Sequence, residues 1–412
     1  MDGDRTVVMD LVIKNGQVYD VETRTFQTRD IGVLDGKIQA VSGPMGIGKN
    51  TKVIDAAGCI VAPGLIDMHC HIYPHFPGDE DGLPTIYGEA HMFRCGVTTA
   101  VDAGTCGCRD FWYFKEKFID PSKLRIFAFV NIAEGGMVDF PSEQNPSEFR
   151  PYTAAAIAKE ADCVVGIKTA HYWVGVPFDV EHPAWASVDS TILAGELCGK
   201  PVMVDFQPNL PERTYEELVL KKLRKGDIHT HVYAQQFPIV DDQGKVNDYL
   251  FEARRRGVIF DLGNGAGSFW FRNAVPSYEQ GFYPDTISTD LYADNMNGPV
   301  FNLLHIMSKY LAIGMPLEEV LYRTTKRPAE IIGHPELGDL AAGREADIAV
   351  LKVQKGEFQF ADSGNASLPG TSRLECLLTV RNGEIVYNPM AMGMPYWKEA
   401  GEPYWRSPGV LP

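Results

Sequence analysis

The sequence predicts an α/β protein: a (β/α)8, TIM-type barrel over residues 63–337, flanked by a small β-sandwich built from both chain ends, residues 1–62 and 338–412. Three observations predict it. The chain has 412 residues, too many for one compact layer and enough for a large body with a satellite. Through its middle, short apolar runs recur about every 30 residues, each followed by a helix-like stretch, as in parallel sheets whose strands are buried on both faces. At both ends the texture changes to short strands split by turn pairs.

At the N-terminal end, Asp10–Lys14, the turn pair Asn15-Gly16 and Gln17–Tyr19 read as a hairpin. Asp30–Leu34, Asp35-Gly36 and Lys37–Val41 repeat the pattern. Near the other end, Ala346–Leu351 reads as a strand, and Leu377–Arg381, Asn382-Gly383 and Glu384–Tyr387 as another hairpin. Neither patch can cover its apolar face alone, so the two are expected to share one domain. The barrel strands are expected at Gly64–His69, Thr98–Asp102, Arg125–Val130, Val164–Lys168, Pro201–Asp205, Asp227–His231, Gly257–Asp261 and Asp285–Asp290. An open doubly wound sheet is the alternative, but no Gly-x-Gly-x-x-Gly follows the first strand. The stretch from Met390 to Pro412 reads as an irregular packed tail.

Composition narrows the function. A net charge of −16 opposes nucleic-acid backbones and anionic membranes, and no Lys/Arg cluster offsets it. The first residues lack a basic region followed by an apolar one, and no apolar run reaches about 18 residues, so a cytoplasmic protein without a spanning helix is expected. The eight cysteines read as thiols of the kind that strands bury, Cys59, Cys163 and Cys198 among them; Cys106-Gly-Cys108 has no second pair at zinc-finger spacing.

The polar residues closing the apolar runs carry the chemistry, because barrel sites lie at the C-terminal ends of strands. The first run ends His69-Cys70-His71, and alternation puts both imidazoles on one face, a two-point claw for a metal such as zinc. Lys168 closes the fourth run and His231 the sixth, with His229 deeper in that strand as a packed polar residue. Asp290 closes the eighth, where a carboxylate can ligate metal or move a proton.

Val61-Ala-Pro-Gly-Leu-Ile-Asp-Met-His69-Cys-His71 resembles the signature strand of the amidohydrolase superfamily. Gly338-Asp-Leu-Ala-Ala-Gly343-Arg-Glu-Ala-Asp347 is similar to the segment by which those chains return from barrel to sandwich, and the likeness is strongest to dihydroorotase-like and deacetylase-type members. The resemblance implies a metal-dependent hydrolase that cleaves an amide, cyclic amide or carboxylic ester of a small molecule by metal-activated hydroxide. It implies one or two divalent ions, zinc or manganese. His69, His71 and Asp290 would hold one, His231 would help to hold the second, and a CO2-derived carbamate on Lys168 would bridge them. Asp290 would also relay the proton. A homo-oligomer is expected. The rival readings are a single-metal deaminase of the same fold, which would not need Lys168, and an inactive scaffold, which would have lost His69, His71 or Asp290.

The sequence departs from the resemblance in three places. Strand five should end in histidine and ends in Asp205; either Asp205 ligates, or the second site is weak, or His229 takes the role. Asn264 stands in the glycine-rich loop after strand seven where deacetylase-like relatives carry histidine. Ile72-Tyr73 follows the paired histidines where dihydroorotases place arginine for a carboxylate. The βα loops are instead aromatic, and Tyr73, Tyr172, Trp173 and Tyr292, with Asn264, are the expected substrate-binding residues.

Overall fold

The structure is a computed structural model describing residues 8–48, 50–75, 82–172 and 177–405. The strands of the N-terminal end are β1 (Leu11–Asp20), β2 (Thr25–Leu34), β3 (Lys37–Ser42), β4 (Lys52–Asp55) and β5 (Ile60–Pro63). The central strands are β6 (Leu65–Cys70), β7 (Val97–Gly107), β8 (Arg125–Asn131), β9 (Val164–Thr169), β10 (Val202–Val204), β11 (Ile228–His229) and β12 (Ile259–Phe260). Near the C-terminal end come β13 (Ile348–Ala361), β14 (Ser367–Arg381) and β15 (Glu384–Tyr387).

Strands β6 to β12 form one curled sheet of seven, all neighbours parallel and in sequence order, with helices between them. Every residue of β6, β7 and β9 is buried, which is why those runs read as unbroken apolar sequence. The eighth expected run is not a regular strand. It pairs through single parallel bridges, Thr286 to Asp261 on one side and Leu291 to Cys70 on the other. Its Ser and Thr hydroxyls are spent sideways on carboxylates: Thr286 and Ser288 donate to Asp261, and Thr289 donates to Asp67.

Both chain ends enter one eight-stranded sheet, β15-β14-β13-β5-β1-β2-β3, with β4 also paired to β1. Apolar side chains from β1 to β5, β13 and β14 meet in a cluster of their own, including Ile13, Ile31, Ile54, Val61, Ile348 and Leu378. The Asp35-Gly36 and Asn382-Gly383 turns join antiparallel pairs as expected. Asn15-Gly16 does not. Strand β1 runs straight through it with a bulge between Ile13 and Gly16, Asn15 taking a φ of +61°. There the strand changes partner, from β4 along residues 11–14 to β5 along residues 17–18. Gly16 is required, because a Cβ would sit 2.4 Å from Val61 Cγ2.

All eight cysteines are free thiols, and Cys163 and Cys198 are only half-buried. Among the described residues no helix is long and apolar enough to cross a membrane.

Candidate metal centre

Strand ends bring the expected residues together. His69, His71 and Asp290 present ligand atoms within 4.8 Å of one another, all buried. The Asp290 carboxylate lies 2.9 Å from His71 Nε2 and 3.5 Å from His69 Nε2, and its backbone N–H donates to the His69 carbonyl. A buried frame sets each ring. Thr230 donates its hydroxyl to Asp261, so its oxygen accepts from His69 Nδ1 at 2.8 Å, and Asp261 itself lies 3.2 Å away. That fixes the proton on Nδ1 and turns the lone pair of Nε2 inward. His69 Nε2 is the one atom of this network left buried without a hydrogen-bond partner. Such an orphan in a satisfied surround is what a cation ligand looks like.

His71 Nδ1 pairs with Thr105 Oγ1 at 2.7 Å, and Asp102 ties down the segments around both. The Asp102 carboxylate accepts from the N–H groups of Ile72, Tyr73 and Thr105. His231 donates Nδ1–H to the Gly263 carbonyl at 2.7 Å, and its ring stands 4.9 Å from that of His69. His231 and Asp290 have φ of +60° and +54°, left-handed backbone that non-glycine residues rarely adopt and that aims both side chains inward.

Lys168 is 1% exposed and lines the same cavity of about 170 Å³, with His69, His71, Asp205, His231 and Asp290. Gly104 makes room for it: with φ at +81°, any Cβ there would meet Lys168 Cβ and Cγ at 2.6 Å. Burial pushes the Lys168 amine below its ordinary range, though Asp205, Asp290, Asp261 and Glu143 oppose the shift. Burial also holds His69 well below its ordinary value, aided by the charges of Lys168, His231 and His71. A neutral imidazole and a readily deprotonated amine are the forms that metal ligation and CO2 capture need.

Asp205 lies at the cavity wall, its Oδ2 3.9 Å from His231 Nε2. Burial would raise its pKa, but His231, His171 and Lys168 outweigh burial and hold it below the usual carboxylate range. His229 does not line the cavity. It is fully buried against Tyr215, Phe237 and Phe260, and burial lowers it to about 3.

Of the expected substrate residues, Tyr292 lines the cavity beside His71. Tyr73 and Tyr172 do not line it: Tyr73 packs on Phe114 and His75, while Tyr172 packs on Phe149 and donates to the Pro183 carbonyl. Both rings are turned into the hydrophobic body. Asn264 is buried beneath the loop, its Oδ1 accepting from Lys309 at 3.4 Å. Trp173 lies outside the described residues. Sequence reasoning assigned no role to Asp67, Asp102, Thr105, Thr230 or Asp261, although buried aspartates inside apolar runs were a signal. It also passed over His171, three residues beyond Lys168, which lines the cavity. Burial pulls His171 down, but Glu143 and Asp205 outweigh it and hold the imidazole up at about 9.

A deacetylase of Agrobacterium fabrum is 32% identical over 352 residues, 84% of this chain and 83% of that one. The chain belongs to the amidohydrolase superfamily. As a member of that superfamily it is a metal-dependent hydrolase. A deacetylase of Enterococcus faecalis is 30% identical over 387 residues, covering 92% of this chain and 99% of that one. Among solved structures, an adenine deaminase superposes with a TM-score of 0.81 at 28% identity, over 92% of this chain and all of that one. A dihydroorotase superposes at 0.78 and 27%, over 92% and 99%. No family model matches the chain.

Proposed function

We propose that the protein is a deacylase, removing a small acyl group from the nitrogen or oxygen of a small molecule. The observation that carries this reading is Lys168, buried at a strand end in the same cavity as His69, His71 and Asp290. One ion would not need that lysine, whereas a pair of ions would be held together by it if CO2 converted its amine to a carbamate. His69, His71 and Asp290 would hold one ion; His231 and Asp205 stand where a second, zinc or manganese, would lie. Bound divalent ions supply Lewis acidity toward a carbonyl and toward water.

The chain's own residues do the rest. Asp261 and Thr230 orient His69, and Thr105 orients His71, so neither ring reorganises during turnover. Asp290, at the cavity edge, is placed to take a proton from an attacking water and return it to the leaving group. Leu83, Met137 and Ala170 wall the cavity, and its small volume suits a short acyl group. Within this reading the 285–291 segment is the eighth stave of a closed (β/α)8 barrel, and the sheet of both termini is its satellite domain. The acidic chain, at −16, fits a small-molecule substrate and opposes nucleic acid.

A second reading, a deaminase, rests on the likeness to the adenine deaminase structure. Product analysis separates the two. Zinc- or manganese-loaded protein is incubated with N-acetyl, ester and lactam compounds and with adenine. Free acid from acyl compounds supports the deacylase. Ammonia from adenine, with no acid from any acyl compound, refutes it.

A further inference from the structure

His171 follows β9, and its φ of +48° turns the chain so that the imidazole faces back over the strand ends. Glu143, a buried residue of the helix Phe140–Gln144, accepts from Nδ1 at 2.8 Å. The other oxygen of Glu143 is held by Asn131 Nδ2 at 3.1 Å, so the carboxylate is itself fixed. With Nδ1 committed to a carboxylate, Nε2 is the ring nitrogen left to meet a cation, which would displace its proton on binding. That nitrogen stands 3.9 Å from Asp205 Oδ2. On the same oxygen, also at 3.9 Å, stands His231 Nε2, its own Nδ1–H committed to Gly263.

Asp205 Oδ2 is thus flanked by two imidazole nitrogens, each oriented through its far nitrogen by an anionic or carbonyl acceptor. Ligands bound to a tetrahedral ion at about 2.0–2.2 Å lie roughly 3.3–3.6 Å from one another. The observed spacing is a few tenths of an ångström wider. It is looser than the first set, where Asp290 Oδ1 stands 2.9 and 3.5 Å from two imidazole nitrogens and all three ligand atoms lie within 4.8 Å of one another; an ion at the second site would draw its ligands together.

We propose that His171 is a ligand of the second metal ion: His171 Nε2, Asp205 Oδ2 and His231 Nε2 hold it, with Glu143 orienting His171. The inference rests on the two-ion reading above. It gives that site one imidazole from the loop after β9, in addition to the carboxylate that ends the fifth stave. The mixed nitrogen and oxygen set accepts zinc or manganese.

Metal stoichiometry and affinity, measured by elemental analysis and competition with a chelator, test it on wild type, His171→Ala and His171→Gln loaded with zinc. Wild type should hold two ions per chain. Both variants should keep one ion at wild-type affinity and bind the other ~100-fold more weakly or not at all. Cobalt-loaded variants should lose about half the visible absorbance per chain, which does not depend on activity. Variants that hold two ions as tightly as wild type overturn the inference and leave the two-ion reading standing; a rise in KM for acidic substrates would then mark His171 as a substrate contact. A wild type that saturates with one ion overturns both.

Discussion

Lys309 offers a measurement independent of any metal. It sits in the helix Leu303–Ile313, is 0% exposed, and among the described residues reaches only the Pro299 carbonyl at 3.2 Å and Asn264 Oδ1 at 3.4 Å, over the Phe269 ring. Burial lowers its pKa from 10.5 to about 7, with Asp362 offsetting a part. At about 1.36 kcal/mol per pKa unit, the folded state bears a cost of about 4–5 kcal/mol for holding the charged amine at pH 7 and below. Between about pH 7 and 10.5 the unfolded chain binds this proton and the folded protein does not, so wild-type stability rises with pH across that window. In Lys309→Met the cost disappears, at the expense of two acceptors left with one donor fewer, about 1–3 kcal/mol. Near pH 7 the variant should therefore be the more stable, by about 2 kcal/mol. By pH 10 the wild type recovers about 3 kcal/mol relative to it and draws level or overtakes. Urea unfolding of both proteins at a series of pH values reads the difference directly. Parallel stability curves, with no change in that difference, would show that the lysine is not charged and desolvated as described.

Two further outcomes follow from the site. Lys168→Ala should abolish turnover, with short carboxylic acids plus bicarbonate restoring a part; carbon-13 bicarbonate added to wild type should give a carbamate resonance that the variant lacks, and a variant as active as wild type would remove the lysine from the chemistry. Gly104→Ala should cost about 1–3 kcal/mol of stability and lower metal content, because its Cβ must displace Lys168; thermal unfolding and elemental analysis check both, and an unchanged melting temperature would refute the packing.

What could be read from the sequence divides along physical lines. His69, His71, Lys168, His231 and Asp290 were legible because each is a polar group closing an apolar run, a costly placement unless something within the barrel uses it. The two ends of the chain were legible as partners because neither could bury its apolar face alone, but the expected sandwich is one eight-stranded sheet. His171 was not, since a loop residue shows its direction only through the left-handed turn it adopts. Asn15-Gly16 was misread for a related reason: the same pair serves a hairpin or a bulge, and the choice was made by β4 and β5, remote in sequence. Tyr73 and Tyr172 show that an aromatic residue in a βα loop does not announce which way its ring points.

The place of β5 bears on how the protein is made. Strand β5 pairs with β1 and β13, then passes through Gly64 directly into β6, the strand that carries His69. Its partner in β13 begins at Ile348, about 285 residues after β5 ends at Pro63. At translation rates of about 5–20 residues per second, β5 waits some 15–60 s for that edge to be covered. Throughout that wait Val61 and Ala62, fully buried in the finished protein, have one open side. Assembly of the terminal sheet is therefore necessarily a late event, governed by the longest-range contacts in the chain. A ribosome stalled before codon 348 would hold a chain that has its first paired histidines and its lysine, but not the strand that covers the open edge of β5.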